Sequence, residues 1–353
     1  MIHVNKHIKS TVRVFPEQGR YDKFRFDMNE NPDGLPSDFV NSVLKEITPK
    51  FLTVYPEPNR FLRKYADFIG VSINNVTATN GSDTGLKYIM ETFGEEGKDV
   101  VTVAPSFEMY WVNCCILGYH HVPVSYESDM TIKIDNILNA ITENTRIVAL
   151  LNPNNPIGNV YTQEEIDKVV EKTKKVGAVL IIDEAYHYFY PKTFLQTAIK
   201  NENVIVLRTF SKAFSIPALR LGVIISNPQI IKYINNAKLT FDVNSIALLF
   251  GERLLDHPEI LSKVVESENR GKAYTLSKLQ QNGYKCRDCR GNYIFVRPKN
   301  DARQVAERLE KEKKVLVHPY GNELLKDYLR VSVGSVDSMK IFLKAFFEID
   351  SSF

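Results

Sequence analysis

Between about residue 77 and residue 225 the chain alternates between two hydrophobic rhythms. Short runs that are apolar almost throughout recur at Val100–Val103, Ile147–Leu151, Ala178–Ile182, Val204–Leu207 and Leu221–Ile225. Runs of this length, rich in β-branched side chains, predict strands buried on both faces. Between them, apolar residues return every three to four positions, which predicts helices over Ser82–Phe93, around Met109–Leu117 and over about Gln163–Val176. Buried strands separated by helices predict an α/β fold with a mostly parallel sheet covered on both faces.

The flanks read differently. Phe39, Val40, Val43, Leu44 and Ile47 fall at helical spacing, so a helix is expected over Ser37–Ile47. MNENPDG (28–34) and YPEPNRF (55–61) have the composition of loops. After about residue 245 comes a long helical stretch, Ile246 to about Leu279. A strand follows near Asn292–Val296, then a helix near Ala302–Lys311, then strands at Val315–Val317 and Tyr328–Val333. That order predicts a smaller α+β unit with its own sheet. The expected division is an N-terminal arm, 1–30, that joins the small unit, a large domain over 31–240 and a small C-terminal domain over 241–353.

Composition narrows the class. The 353 residues are 44% hydrophobic and 25% charged, ordinary globular values with length for one large and one smaller domain. Against 45 basic residues stand 42 acidic ones, and a formal net charge of +3 gives no electrostatic reason to expect nucleic acid or a membrane surface. The run Glu310-Lys311-Glu312-Lys313-Lys314 reads as a solvated helix face. No stretch reaches the roughly 18 apolar residues of a spanning helix. The opening MIHVNKHIKS lacks an apolar signal core, so a cytoplasmic location is expected. Cys114 and Cys115 lie in an apolar run and read as core. Cys286 and Cys289 form a lone C-x-x-C without a second ligand pair, so no metal is expected.

In a doubly wound sheet, ligands bind beyond the carboxyl ends of the strands. The residues at those positions are Asn80-Gly81-Ser82-Asp83, Pro105-Ser106-Phe107 with Tyr110, Asn152-Pro153-Asn154-Asn155-Pro156, Asp183-Glu184-Ala185-Tyr186 and Thr209-Phe210-Ser211-Lys212. Each has a plain reading alone. Gly81 suits a helix cap, Asp183 an N-cap, and Asn155-Pro156 a turn. Together they offer a glycine loop at a helix N-terminus for a phosphate, an acid, an amide, aromatic rings and an amine. The stretch RTFSKAFSIPALRLG (208–222) adds a sharper point. It sets two cations, Lys212 and Arg220, in a connection between two buried strands, where an unpaired charge is costly. An aromatic ring carrying a phosphate arm would use every one of these groups.

The segments NENPDG, YPEPN, NGSD, PSFEMY, NPNNPIG, IIDEAY, TFSKAFSIPALRLG and LRVSVG, in that order, span nearly the whole chain. With them the sequence resembles the class I/II aminotransferases of pyridoxal-phosphate fold type I, and within these the histidinol-phosphate aminotransferase-like branch. The resemblance implies a seven-stranded sheet in the large domain, pyridoxal 5'-phosphate as cofactor, and a homodimer with a shared active site. It implies that Lys212 carries the cofactor as a Schiff base and then serves as base for the Cα proton. Asp183 would pair with the protonated ring nitrogen. Asn155 and Tyr186 would hydrogen-bond the ring oxygen, and Tyr110 would stack on the ring. Ser82 and Asp83, through backbone N–H groups, would hold the phosphate with Ser211 and Arg220. Tyr55 would reach the phosphate of the neighbouring subunit, and Arg330 would bind the substrate α-carboxylate.

The resemblance thins at VLVHPYG, where His318 stands at a place that branch usually gives to an arginine for the substrate phosphate. A histidine is smaller and only partly charged near neutral pH. The expected activity is transfer of nitrogen from L-glutamate to a small phosphorylated ketone, either imidazole acetol phosphate or a shorter three-carbon ketone phosphate. A decarboxylase of a phosphorylated amino acid, resembling the threonine-phosphate decarboxylases, and an aromatic amino-acid aminotransferase stay open as alternatives. A non-catalytic module on the same fold would have lost Lys212 or Asp183, and both are present.

Overall fold

The structure, a computed structural model, describes residues 2–13 and 19–353; residues 1 and 14–18 of the expected arm lie outside them. Its centre is a seven-stranded sheet of β1 (Val76–Asn80), β2 (Asp99–Ala104), β3 (His120–Ser125), β4 (Thr145–Leu151), β5 (Val179–Asp183), β6 (Val204–Thr209) and β7 (Leu221–Ser226). The spatial order is β1-β7-β6-β5-β4-β2-β3. All neighbours run parallel except β7, which is antiparallel to both β1 and β6. Strands β4 to β7 are almost entirely buried, as helices cover both faces.

That reversal of β7 matters for the site. The start of β7 lies at the same edge as the carboxyl ends of β1 and β6, with Asn80 opposite Leu221 and Thr209 opposite Gly222. Asp183 ends β5, opposite Leu151 and Leu207. One edge of the sheet therefore receives the ends of β1, β4, β5 and β6 and the beginning of β7.

Strand β3 is absent from the sequence reading. Its residues, HHVPVS, mix histidines with a proline and alternate poorly. It pairs on one side only, with β2, so the missing N–H of Pro123 costs little there. The helix expected from Ile246 to Leu279 is two helices, Ser245–Asp256 and Pro258–Gln281. Proline cannot donate to the preceding turn and disfavours helix at the residue before it, so the chain breaks at His257.

The rest of the C-terminal region forms an antiparallel sheet of β8 (Lys285–Asp288), β9 (Tyr293–Arg297), β10 (His318–Pro319) and β11 (Leu329–Ser332), in the order β10-β11-β9-β8. The expected strand Val315–Val317 splits, because Val315–Leu316 pairs in parallel with Phe24–Arg25 from the N-terminal segment. Phe26, Ile294, Val296, Leu309, Phe342 and Phe346 anchor an apolar cluster separate from the one around the large sheet. Among the described residues, no helix is long and apolar enough to cross a membrane.

Candidate active site

The connection from β6 to β7 folds over a buried aromatic stack. Phe210 lies 4.1 Å from Phe214, nearly parallel to it, and packs edge-on against Phe61. With the phenylalanines fixed, Ser211 and Lys212 are held at the sheet edge. The chain returns through Ser215 and Arg220, both left-handed at φ 60° and 55°. Lys212 Nζ donates to the carbonyl of Met28 at 2.8 Å. Burial, reinforced by the nearby Arg330 guanidinium and opposed by Glu30 and Asp83, pushes its amine down to about 8.

Arg220 faces the start of the helix Gly81–Phe93, which follows β1 without a break. Its guanidinium donates to Asp83 Oδ2 at 3.0 Å, to Ser211 Oγ at 3.3 Å and to the Pro217 carbonyl at 3.1 Å. Ser211 N–H in turn donates to Thr209 Oγ1 at 3.1 Å. Two glycines make this approach possible. Gly81 has φ +80°, and a Cβ there would lie 2.6 Å from the Arg220 guanidinium. A Cβ on Gly222 would lie 2.5 Å from the Ser82 nitrogen. The result is a cup of serine hydroxyl, arginine and helix N-terminus, the donor set of an anion site. Asp83 offers its carboxylate to Arg220 as well as its backbone.

Asp183 is 3% exposed and has no cation partner among the described residues. Its Oδ2 accepts from the Tyr110 hydroxyl at 3.1 Å and its Oδ1 from the Ala185 N–H at 3.0 Å. Burial outweighs both bonds, and Asp83 and Glu184 add repulsion, so the carboxyl is pushed up to about 7. The adjacent Glu184 is equally buried but fully matched: Arg208 donates to it from two nitrogens at 3.0 and 2.8 Å, Phe194 N–H at 2.6 Å, and the Thr193 hydroxyl at 2.8 Å. Asp183 is thus the acid that lacks a positive charge. A protonated ring nitrogen fits that deficit, and the cup fits a phosphate arm. The Tyr110 ring is fully buried between the acid and Phe107.

The opposite wall comes from the N-terminal segment and the small sheet. Asn29 Nδ2 donates to the Tyr186 hydroxyl at 2.8 Å. Arg330, in β11, donates to Asn155 Oδ1 at 2.8 Å and to the Asp27 carbonyl at 2.5 Å. Its Nε is buried without a hydrogen-bond partner among the described residues. His318 is Arg330's cross-strand neighbour on β10, and its ring packs edge-on against Tyr320 at 4.8 Å. His318 keeps access to solvent on this short strand. The protein packed around its ring, and then the Arg330 charge, push the imidazole down below its ordinary range, which favours the neutral form at pH 7.

The structure therefore brings together Lys212, Asp183, Tyr186, Tyr110, Asn155, Ser82, Asp83, Ser211, Arg220, Arg330 and His318. Tyr55 stands apart. It is 72% exposed, stacks on Phe241 at 4.3 Å, and makes no hydrogen bond to the cup among the described residues. Three contributors escaped the sequence reading: Met28 and Asp27, which act through backbone carbonyls, and Asn29. The left-handed φ of 53° at Asn29 was signalled only by its place in the turn-rich NENPDG.

A family model for aminotransferase class I and II matches residues 21–346. The histidinol-phosphate aminotransferase of Caldanaerobacter subterraneus subsp. tengcongensis is 32% identical over 333 residues, covering 93% of each chain. That of Thermotoga sp. (strain RQ2) is 30% identical over 343 residues, 94% of this chain and 96% of the relative. Among solved structures, the Sinorhizobium meliloti histidinol-phosphate aminotransferase in complex with pyridoxal-5'-phosphate superposes with a TM-score of 0.89 at 23% identity, over 100% of this chain and 98% of that one. A Thermus thermophilus aspartate aminotransferase mutant gives 0.79 at 19% identity, over 99% and 100%. These two likenesses show the fold. The extended match to the family model, together with the two curated relatives, carries the conclusion: this chain belongs to the class I and II aminotransferases and is a pyridoxal-phosphate-dependent enzyme of fold type I.

Proposed function

We propose that the enzyme moves an amino group from L-glutamate to a small phosphorylated ketone, either imidazole acetol phosphate or a shorter three-carbon ketone phosphate. The observation that carries this reading is the pairing of Lys212, its amine pushed down to about 8, with Asp183, a buried acid short of one positive charge. The curated relatives, named for a phosphorylated substrate, support the acceptor class.

Pyridoxal phosphate, when bound, supplies a carbonyl for a covalent link and a ring that draws electrons from the substrate Cα. The chain's own groups do the rest. Lys212 Nζ, partly unprotonated near neutral pH, would carry the covalent link and could take up the Cα proton. Asp183 would balance a positive charge at the ring nitrogen. Tyr186 and Asn155 would offer donors to the ring oxygen, and Tyr110 would pack against the ring. Ser211, Arg220 and the backbone N–H groups of Ser82 and Asp83 would hold the phosphate. Arg330 offers a planar fork to the substrate α-carboxylate. His318 beside it, which favours its neutral form, leaves less positive charge for a distal phosphate than an arginine would, and this favours a compact acceptor.

The exposed Tyr55, in company with exposed Leu52, Val54, Leu239 and Phe241, supports a homodimer in which Tyr55 reaches the partner's phosphate cup. We also propose a division near residue 240 and a cytoplasmic location. Within the N-terminal arm, Phe24–Phe26 belong to the smaller unit. The helix Lys6–Ser10, by contrast, packs on Met109–Leu117 of the large domain and Lys6 pairs with Glu96 there, against the expectation that the whole arm joins the small unit. The test is the visible spectrum of the cofactor-loaded protein with L-glutamate alone. Conversion to the spectrum of the aminated cofactor shows half of a transamination. An unchanged spectrum rejects glutamate as donor and sends the search to phosphorylated amino acids and released carbon dioxide.

A further inference from the structure

The wall built from the N-terminal segment depends on the bend at residues 27–30. Its backbone faces the site. The Asp27 carbonyl accepts from Arg330 at 2.5 Å and the Met28 carbonyl from Lys212 Nζ at 2.8 Å. Asn29, at φ 53°, donates through Nδ2 to the Tyr186 hydroxyl at 2.8 Å. The outer residues of the bend, Asp27 and Glu30, are acids, and one guanidinium reaches all their carboxylate oxygens. Arg20 donates through Nε and Nη2 to Asp27 Oδ2 and Oδ1 at 3.2 and 2.7 Å. Through Nη1 and Nη2 it donates to Glu30 Oε1 and Oε2 at 3.1 and 3.0 Å. The side chains of Arg20, Asp27 and Glu30 are 21%, 13% and 19% exposed. An exposed ion pair contributes little, but this cluster is sheltered and doubly forked, the geometry in which guanidinium–carboxylate bonds are strong. Arg25 Nε lies 3.4 Å from Glu30 Oε2, a loose contact beside the fork.

Glu30 is also the acid that faces Lys212 from this segment. Arg330, Asp83 and Arg220 face the amine from the other elements, and Glu268 on the long helix feels its charge. A free Glu30 carboxylate would attract the amine and hold it protonated. Burial opposes the charge on Glu30, but the bonds and charge of Arg20 outweigh burial, with Arg25 and Lys212 adding to them, so its carboxyl lies below the ordinary range. We propose that Arg20 is a positioning residue for the active site: by gripping Asp27 and Glu30 together it holds the 27–30 bend against Arg330 and Lys212, and it keeps the Glu30 carboxylate from pairing with the Lys212 amine. This role rests on the functions proposed for Lys212 and Arg330.

The electrostatic part is tested on the protein without cofactor. The pH dependence of Lys212 acetylation by acetic anhydride, followed by peptide mass spectrometry, gives the midpoint of its amine. Arg20→Gln is expected to raise that midpoint by about half a pH unit or more, because Glu30 loses its counter-charge. Glu30→Gln is expected to lower it, and the double variant to return it close to wild type. A clasp that only supports the fold would loosen the bend in both single variants and move them the same way. That result, or no shift in either, overturns the proposal. If Arg20→Gln does not fold, Glu30→Gln still decides, since an unmoved or raised midpoint there overturns it equally. The positioning part is tested on the loaded enzyme with Arg20→Lys, which keeps the charge and loses the fork. The KM for L-glutamate is expected to rise by about threefold to tenfold, as Arg330 loses its fixed carbonyl, with kcat within about twofold of wild type. An unchanged KM overturns the positioning role. A loaded protein without a visible band would count against the function proposed for Lys212 and leave the acetylation result standing.

Discussion

The edge of the seven-stranded sheet and the wall built from the small sheet supply one site by different means. On the first side the polar groups lie at, or within a few residues of, the ends of buried strands, and ladder register fixes the height of those ends. Asp183 cannot shift without moving β5 against Leu151 and Leu207. On the second side Arg330 sits within β11, and its bonds run outward to Asn155 and to the Asp27 carbonyl. Those partners belong to a loop of the large sheet and to the N-terminal segment, so this wall exists only when three distant stretches of chain meet. A rigid edge suits a cofactor whose charges must be matched to fractions of an ångström, and an assembled wall suits the part of a site that varies with substrate. The comparison implies that changes at the edge abolish chemistry, whereas changes at the wall alter binding.

The largest effect is expected at Lys212. Lys212→Ala removes the covalent link and the proton acceptor, and turnover is expected to fall by at least about 10⁴-fold. The loaded protein should lose the visible band of the linked cofactor while keeping its far-ultraviolet circular dichroism. Retained turnover would break the assignment of this edge.

Asp183→Asn comes next, and pH separates its two consequences. In the protein without cofactor, Asp183 has a folded value of about 7 against an ordinary 3.8, so the folded state binds more protons between these values. Stability is therefore lost as pH rises from about 4 to 7, and the full cost is present above 7. The asparagine variant does not carry that cost. Denaturant titrations should find it more stable than wild type at pH 8, by at most about 4 kcal/mol, with the gap closing near pH 4. A gap independent of pH would show that burial of the charge is not its cause. With cofactor bound, the same variant should lose roughly 10²–10⁴-fold in rate, because no charge remains to hold the ring proton.

The two sides also differed in how far they could be read from sequence. The helix limits Met109–Leu117 and Gln163–Val176 follow directly from apolar spacing, with Thr162 and Glu165 closing a reciprocal cap on the second. The edge residues were legible because a topological rule places ligands after parallel strands. Strand β3 was not, since an edge strand with Pro123 carries neither alternation nor a continuous apolar run. On the wall, Arg330, His318 and Asn155 were legible through the family resemblance, and only the N-terminal part hid, for another reason. Met28 and Asp27 contribute carbonyl oxygens, which every residue has, and Asn29 works through an unusual φ. The Arg220–Asp83 ion pair, at 3.0 Å, likewise depends on the close approach that Gly81 permits, a matter of space that a sequence does not display.

At the wall, Arg330→Lys keeps the charge and loses the fork. A point cation cannot meet both Asn155 and a carboxylate in one plane. The KM for L-glutamate is expected to rise by about tenfold to a hundredfold, with the visible band of the loaded enzyme intact. A fall in kcat at unchanged KM would move Arg330 from the substrate wall to the chemistry.

The smallest effect, and the one that sharpens the comparison most, is expected at His318. The imidazole favours its neutral form beside Arg330, its cross-strand partner on β11. His318→Arg places a second fixed charge there. Like charges directly opposite on a sheet destabilise it by up to about 1 kcal/mol, so the variant without substrate should unfold slightly more easily than wild type. An anion between the two arginines would relieve that repulsion. The KM for imidazole acetol phosphate is accordingly expected to fall by about tenfold relative to wild type, an interaction of ~1.4 kcal/mol, with kcat little changed. An unphosphorylated aromatic keto acid, lacking the anion, should show no such gain. If both acceptors respond alike, His318 does not face the distal end of the substrate, and the wall's selectivity must be sought in Tyr320 and the N-terminal segment instead.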